Sequence, residues 1–460
     1  MWTDHPKQRV ILPLTGIRGL TIMWMFTFHM DNVLAALLPG LSGFVAVNAG
    51  VKFRMDLLFM LSGFLISYVY IANRGKLTRA TYADFLCLRL IRLYPLYLTI
   101  SLLLLFLNAI SSQTVSQEFR VVLLFTLGTF LIVCVYAARR VGGAMRAAGG
   151  FLLSRRIGFW PIVLATSLFL TLLVVLGTHL NAVLGNNRPW TIIPLRLAMI
   201  QAWPWVPRED RPLAAVWFLS SLWFAYILAF PIAWLLVRRL RKPWLMFLWV
   251  FGPVALWLVV SQVDRLMEFH KVTRACCGFL CGSALFVLYA NRSGFIAAAQ
   301  KHLDKTVLIF LVLSVLIPAL PSEGGRHTVS VLLVLGAPLL LAGTTAESSL
   351  TARFLATRPV LWLGKISYAL FLSHETSLRV VDLVLPFEHF SSAPITVRIL
   401  IVGAYIAFTL ALATALWRFV ESPAAEALKR FTLEHNKRSA SRTQSQNAQT
   451  APRPTRGRAG

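Results

Sequence analysis

Apolar residues fall along the chain in long continuous runs separated by short polar or charged stretches. This is neither the alternation of a half-exposed strand nor the narrow apolar stripe of a soluble amphipathic helix. Runs long enough to cross a hydrocarbon core lie at about 11–38, 44–72, 90–111, 119–138, 157–178, 213–237, 243–261, 273–290, 304–320, 329–346, 360–385 and 395–418. The pattern predicts an all-α fold, a polytopic membrane helical bundle of about 12 transmembrane helices. The first run continues into the second without a small-residue cleavage site, so it reads as a retained membrane helix and not a removable signal peptide.

Charge orients this bundle. Every second connection is basic: Arg74, Lys76, Arg79, Arg89 and Arg92 in one, Arg139, Arg140, Arg146, Arg155 and Arg156 in the next, Arg238, Arg239, Arg241 and Lys242 in a third. Arg292, Lys301 and Lys305, then Arg353 and Arg358, continue the series, while the stretch 111–118 between two of them has no positive charge. Positive residues stay on the cytoplasmic side, so both termini are expected there, with 179–212 as a periplasmic loop. Residues 424–460 read as a basic, largely disordered cytoplasmic tail rich in Ser, Gln, Pro and Arg. Trp190, Trp203 and Trp205 in the long loop suit either an interfacial belt or stacking on a sugar ring.

Composition supports the class. Charged residues make up 14% and hydrophobic ones 57%, where soluble domains carry about a quarter charged. A net charge of +27 raises the question of nucleic acid, but the cations lie in short loops between apolar runs and answer to membrane topology, so no nucleic-acid partner is expected. The five cysteines, Cys87, Cys134, Cys276, Cys277 and Cys281, lack paired spacing, so neither disulfides nor a metal site is expected.

Chemistry enters where ionisable residues interrupt apolar runs. In Leu14 to Met30, LTGIRGLTIMWMFTFHM, Arg18 and His29 are eleven residues apart, about 16 Å along a helix. With Arg18 at a membrane face, His29 falls near the midplane, as a functional group or as a packing histidine satisfied by a neighbour's carbonyl. In FRMDLLFMLSGFLIS, Asp56 is either the partner that orients a histidine or the mate of Arg54, and Ser62-Gly63 admits a helix or a ligand at close range. FLCLRLIRLYPLYL places Arg89 and Arg92 on one helical face. That pair suits a phosphate fork, or an ordinary positive-inside anchor. In LGKISYALFLSHE, Tyr368 and His374 fall within about 120° of each other on the helix, and Glu375 points elsewhere.

Together these stretches resemble the acyltransferase 3 family of integral-membrane O-acyltransferases. Arg18 and His29 match its Arg-or-Lys, ten residues, His pattern. Asp56 with Ser62-Gly63-Phe64 is similar to its second-helix signature, and Arg89, Arg92, Tyr94 and Pro95 to its Arg-x-x-Arg motif. Ser367, Tyr368 and His374 resemble its late Ser-Tyr-x-x-Tyr-x-x-His helix, with Phe371 for the second tyrosine, and Phe419-Val420-Glu421-Ser422-Pro423 resembles its closing Val-Glu-x-Pro. AVWFLSSLWFAYILAFP keeps Trp217, Leu219, Ser220, Tyr226 and Pro231 of a middle-helix pattern, but Leu222 and Trp223 stand where paired glutamates are expected.

The resemblance implies an O-acyltransferase domain over 1–423, with a ten-helix core and an inserted hairpin at 119–178, in a bacterial inner membrane. It implies transfer of an acyl group, usually acetyl, from acyl-CoA to a hydroxyl of a carbohydrate or lipid-linked glycan, among membrane lipid. No permanently bound cofactor is expected; acetyl-CoA is the donor substrate. Arg89 and Arg92 would hold its phosphates with Arg18 as a third contact. His29 would be the general base, with an acyl-histidine as a variant, and Asp56 or a backbone carbonyl would set its tautomer. Tyr368, His374 and Trp217 are the candidates at the acceptor. The other class compatible with such a bundle is a secondary transporter or lipid-linked oligosaccharide flippase.

Overall fold

The structure is a computed structural model; it describes residues 10–41, 53–71, 77–111, 195, 197–206, 216–239, 242–263, 268–317, 320, 322–423 and 425–426. The runs expected at 119–138 and 157–178, Trp190, Cys134 and nearly all of the tail lie outside them.

Among the described residues every regular element is helical. In chain order these are α1 (Leu12–His29), α2 (Asp31–Leu37), α3 (Phe53–Ile66), α4 (Arg79–Ser111), α5 (Val216–Arg239), α6 (Pro243–Val260) and α7 (His270–Ala290). Then come α8 (Gly294–Lys301), α9 (Leu303–Leu316), α10 (Glu323–Gly343), α11 (Leu350–Leu355), α12 (Arg358–Val384) and α13 (Ile395–Leu416). Wider π turns extend α3 through Ser67–Ile71 and α13 through Trp417–Glu421.

Local chemistry sets several ends. Pro13 opens α1, where its missing N–H is no loss. The hydroxyls of Ser293, Ser322 and Ser349 accept backbone N–H bonds at the starts of α8, α10 and α11.

Among the described residues five helices are long and apolar enough to cross a membrane: Phe53–Ile71, Val216–Arg239, His270–Ala290, Glu323–Gly343 and Ile395–Glu421. Helices α1 and α2, bent by 51°, make a sixth if they form one broken span. Helix α12 is long enough but too polar to join them, because it carries Lys365, His374, Glu375 and Arg379.

Two helix pairs set the frame. Helices α3 and α7 run parallel and nearly touch: a Cβ on Gly63 would enter the backbone of Phe279, and one on Gly282 that of Met60. Small residues permit such contact where helices pack by van der Waals fit. Beside this seam Asp56 meets Arg274 in a two-pronged ion pair, Nε to Oδ1 at 2.7 Å and NH2 to Oδ2 at 2.6 Å. Helices α1 and α12 also run parallel, Gly19 against Gly364 at one level and His29 against His374 further along.

Candidate functional site

Five helices, α1, α3, α4, α5 and α12, with the π turns after α3 and α13, enclose an elongated cavity of about 370 Å³. Its wall includes Tyr70 and Leu58 of the α3 element, twelve residues apart and so about 18 Å along the helix. One end is cationic. Arg18, Arg89, Arg92 and Lys365 all face it, with Glu421 as the single carboxylate among the described lining residues. The middle is aliphatic, formed by Ile22, Leu58, Leu61 and Leu219, and the far end is aromatic, formed by Phe218 and Phe371.

Each cation is held differently. The Arg18 NH2 donates to the Gly364 carbonyl at 2.6 Å, which ties α1 to α12, while its buried Nε has no partner. The Arg89 guanidinium lies 4.9 Å from the Tyr70 ring, 5.6 Å from Phe85 and 5.9 Å from Tyr226, an aromatic box that suits a flat, weakly hydrated cation. Its Nε is also buried and unpartnered. Arg92 and Lys365 are exposed at the mouth. The Tyr368 hydroxyl donates to the Leu93 carbonyl at 2.7 Å, and the hydroxyls of Ser62 and Tyr226 meet at 3.1 Å.

Past the aromatic end the two histidines meet. The rings of His29 and His374 lie 4.7 Å apart, tilted by 42°. His374 is one helical turn beyond Phe371, 1% exposed, with its Nδ1 2.7 Å from the Phe371 carbonyl oxygen. A carbonyl only accepts, so this bond puts the proton on Nδ1 and leaves Nε2 as a bare lone pair. That Nε2 is buried and has no partner. His29 is half-buried at the last position of α1, where the chain bends into α2.

The cavity thus brings together Arg18, Arg89, Arg92 and Tyr368, and the histidine pair stands one turn past its end. Asp56 does not line the cavity. Both of its oxygens go to Arg274, a residue the sequence reading did not single out, whose guanidinium also lies 4.9 Å from the Trp257 ring. Arg54, offered as the mate of Asp56, gives its NH1 to the Trp24 carbonyl at 3.1 Å and lies 5.0 Å from the Phe28 ring. Trp217 is also outside the lining, edge-on to Phe59 and Phe218 and beneath the Lys271 ammonium.

Ser62 faces the cavity, and Gly63 next to it faces helix α7. Leu222 lines the cavity as an apolar residue where the family pattern has a glutamate. Trp203 donates its indole N–H to the Ser220 carbonyl at 3.1 Å and Trp205 stacks edge-on against it. Glu375 pairs with Arg379 one turn later at 3.2 Å.

Compared with protein-family models, curated proteins and solved structures, the chain finds no match. Fold and site define a class on their own terms: a chain whose described regular elements are all helical, whose long apolar helices suit a multi-pass membrane protein, with a cationic cavity that leads toward a histidine pair.

Proposed function

We propose that the protein is a membrane-bound O-acyltransferase of the acyltransferase 3 type, of about 12 spans with both termini in the cytoplasm of a bacterial inner membrane. The observation that carries this reading is the order of groups along and just beyond one cavity: guanidinium groups, an aliphatic stretch and an aromatic end, with two histidines one turn past it. An acyl-CoA has the same order, with phosphates, a flexible pantetheine arm and a thioester.

Arg18, Arg89 and Arg92 hold the phosphates at the cytoplasmic end, each guanidinium presenting a planar fork of N–H donors. The arm lies along Ile22, Leu58 and Leu61, and the thioester reaches past Phe371. His29, the less buried of the two histidines, removes the proton of the acceptor hydroxyl as its oxygen attacks the thioester carbonyl. The C–S bond breaks, the acyl group stays on the acceptor oxygen, and the CoA thiolate takes up a proton. His374, fixed with its proton on Nδ1, presents a lone pair beside His29 and steadies the imidazolium as it forms. The acceptor is a hydroxyl of a carbohydrate or lipid-linked glycan.

The test is transfer from labelled acetyl-CoA in membranes carrying the protein, together with mass spectrometry of surface glycans made with and without it. Loss of glycan O-acyl groups supports the assignment. Intact but unexported glycan accumulating without this protein would support the transporter or flippase reading instead. Full transfer by a normally expressed His29→Ala variant would remove His29 from the chemistry.

A further inference from the structure

Glu421 is the unexplained group in the cationic end. It sits at the last position of the π turn after α13, half-buried, within electrostatic reach of Arg92 and Arg18, and its Oε2 is buried without a hydrogen-bond partner. A site for phosphates alone needs only donors, and a carboxylate in it repels the ligand. An ionised carboxylate accepts hydrogen bonds and donates none. The α12 hydroxyls that share the cavity wall with it are committed elsewhere, Tyr368 to the Leu93 carbonyl and Ser367 to the Gly364 carbonyl. Glu421 thus lines the cavity with an acceptor oxygen to which no donor is assigned, beside Arg18, whose own Nε is likewise unpartnered.

We propose that Glu421 is a ligand-binding residue that accepts a hydrogen bond from a hydroxyl or amino group carried next to the ligand's phosphates. The ligand class is then a phosphate ester of a nucleoside or sugar, not a bare pyrophosphate or a simple lipid phosphate. Glu421 and the arginines read two features of one molecule: the cations hold its charge, and the carboxylate selects the donor group beside that charge. This inference rests on the reading of the cationic end as a phosphate site.

The experiment measures binding of adenosine 3′,5′-bisphosphate and of inorganic pyrophosphate to the full-length protein in detergent, for the wild type, Glu421→Ala and Glu421→Gln. Glu421→Ala is expected to weaken the nucleotide by about tenfold or more while pyrophosphate binds as in the wild type or more tightly. Retained pyrophosphate binding also reports that the site is intact. Glu421→Gln keeps an acceptor oxygen and is expected to hold nucleotide affinity within about threefold.

Equal weakening of both probes by Glu421→Ala would mean that the carboxylate only positions the arginines, and nucleotide binding unchanged or tightened would make it a mere counter-charge. Either result overturns the proposal and leaves the phosphate site standing. Wild-type protein that binds neither probe overturns the phosphate site and this inference together.

Discussion

The imidazole rings of His29 and His374 meet at 4.7 Å although 345 positions of sequence separate them. At that distance two imidazolium charges repel, so the pair carries at most one positive charge and acts as a unit. His29→Ala and His374→Ala are each expected to lower acyl transfer by about 10²–10⁴-fold. The double variant should be little worse than the weaker single one, because residues that act together are not additive. Initial rates in membranes at matched expression decide this, and a double variant whose loss equals the product of the singles would show that the two act independently.

Arg89 sits among three aromatic rings, a setting made for a planar cation. Arg89→Ala should raise KM for the acyl donor by about tenfold or more with little change in kcat, since a phosphate clamp binds ground and transition states alike. Arg89→Lys is expected not to restore it, because an ammonium neither forks onto phosphate nor stacks flat. A lysine variant with a wild-type KM would reduce Arg89 to a simple positive charge.

The pair Asp56–Arg274 is nearly sealed from solvent, with side chains 3% and 8% exposed. Removing one partner strands the other charge, so Asp56→Ala should destabilise the protein by about 3–5 kcal/mol. The double variant Asp56→Leu with Arg274→Met should regain most of that loss, as apolar replacements of buried ion pairs do. Thermal unfolding in detergent reads the stability and transfer assays read the role. Recovered folding with recovered transfer makes the pair a structural joint between α3 and α7; recovered folding without transfer returns Asp56 to the chemistry.

Phe371 lines the cavity and lies one turn before His374, the two rings 6.3 Å apart. Phe371→Trp should narrow the passage and lower kcat while binding of adenosine 3′,5′-bisphosphate stays unchanged. Phe371→Ala should admit bulkier acyl groups, read as a higher rate with butyryl-CoA relative to acetyl-CoA. A tryptophan variant that loses nucleotide binding instead would place the phosphates at the wrong end.

Apolar run length made the helices legible: outside 119–138 and 157–178 the described part of each sequence run is helical, the first as two helices bent by 51°, although only five or six of them are long and apolar enough to span. The bend after His29 had no local signal, because neither Pro nor Gly stands at Met30. The suspected cations converged because charges that interrupt apolar runs turn away from the apolar exterior and toward a shared cavity. Asp56 shows the limit of nearness in sequence. Arg54 precedes it by two positions, and on a helix residues two apart do not face each other, so the mate came from α7. Glu421 was visible only as part of a closing motif, and nothing in its own stretch shows that the π turn after α13 comes beside Arg18 and Arg92.

The bond from Arg18 to the Gly364 carbonyl has a mechanical consequence. Helices α1 and α12 are locked in register at the charged end, and each carries one histidine: His29 is eleven residues past Arg18, and His374 nine past Lys365. Both spacings are rigid helix, about 14–16 Å. On the acyl-transfer reading proposed above, the seam works as a ruler that the donor must match in length. An activated acyl group on a short carrier, such as acetyl phosphate, can occupy either end of it but cannot reach from one to the other.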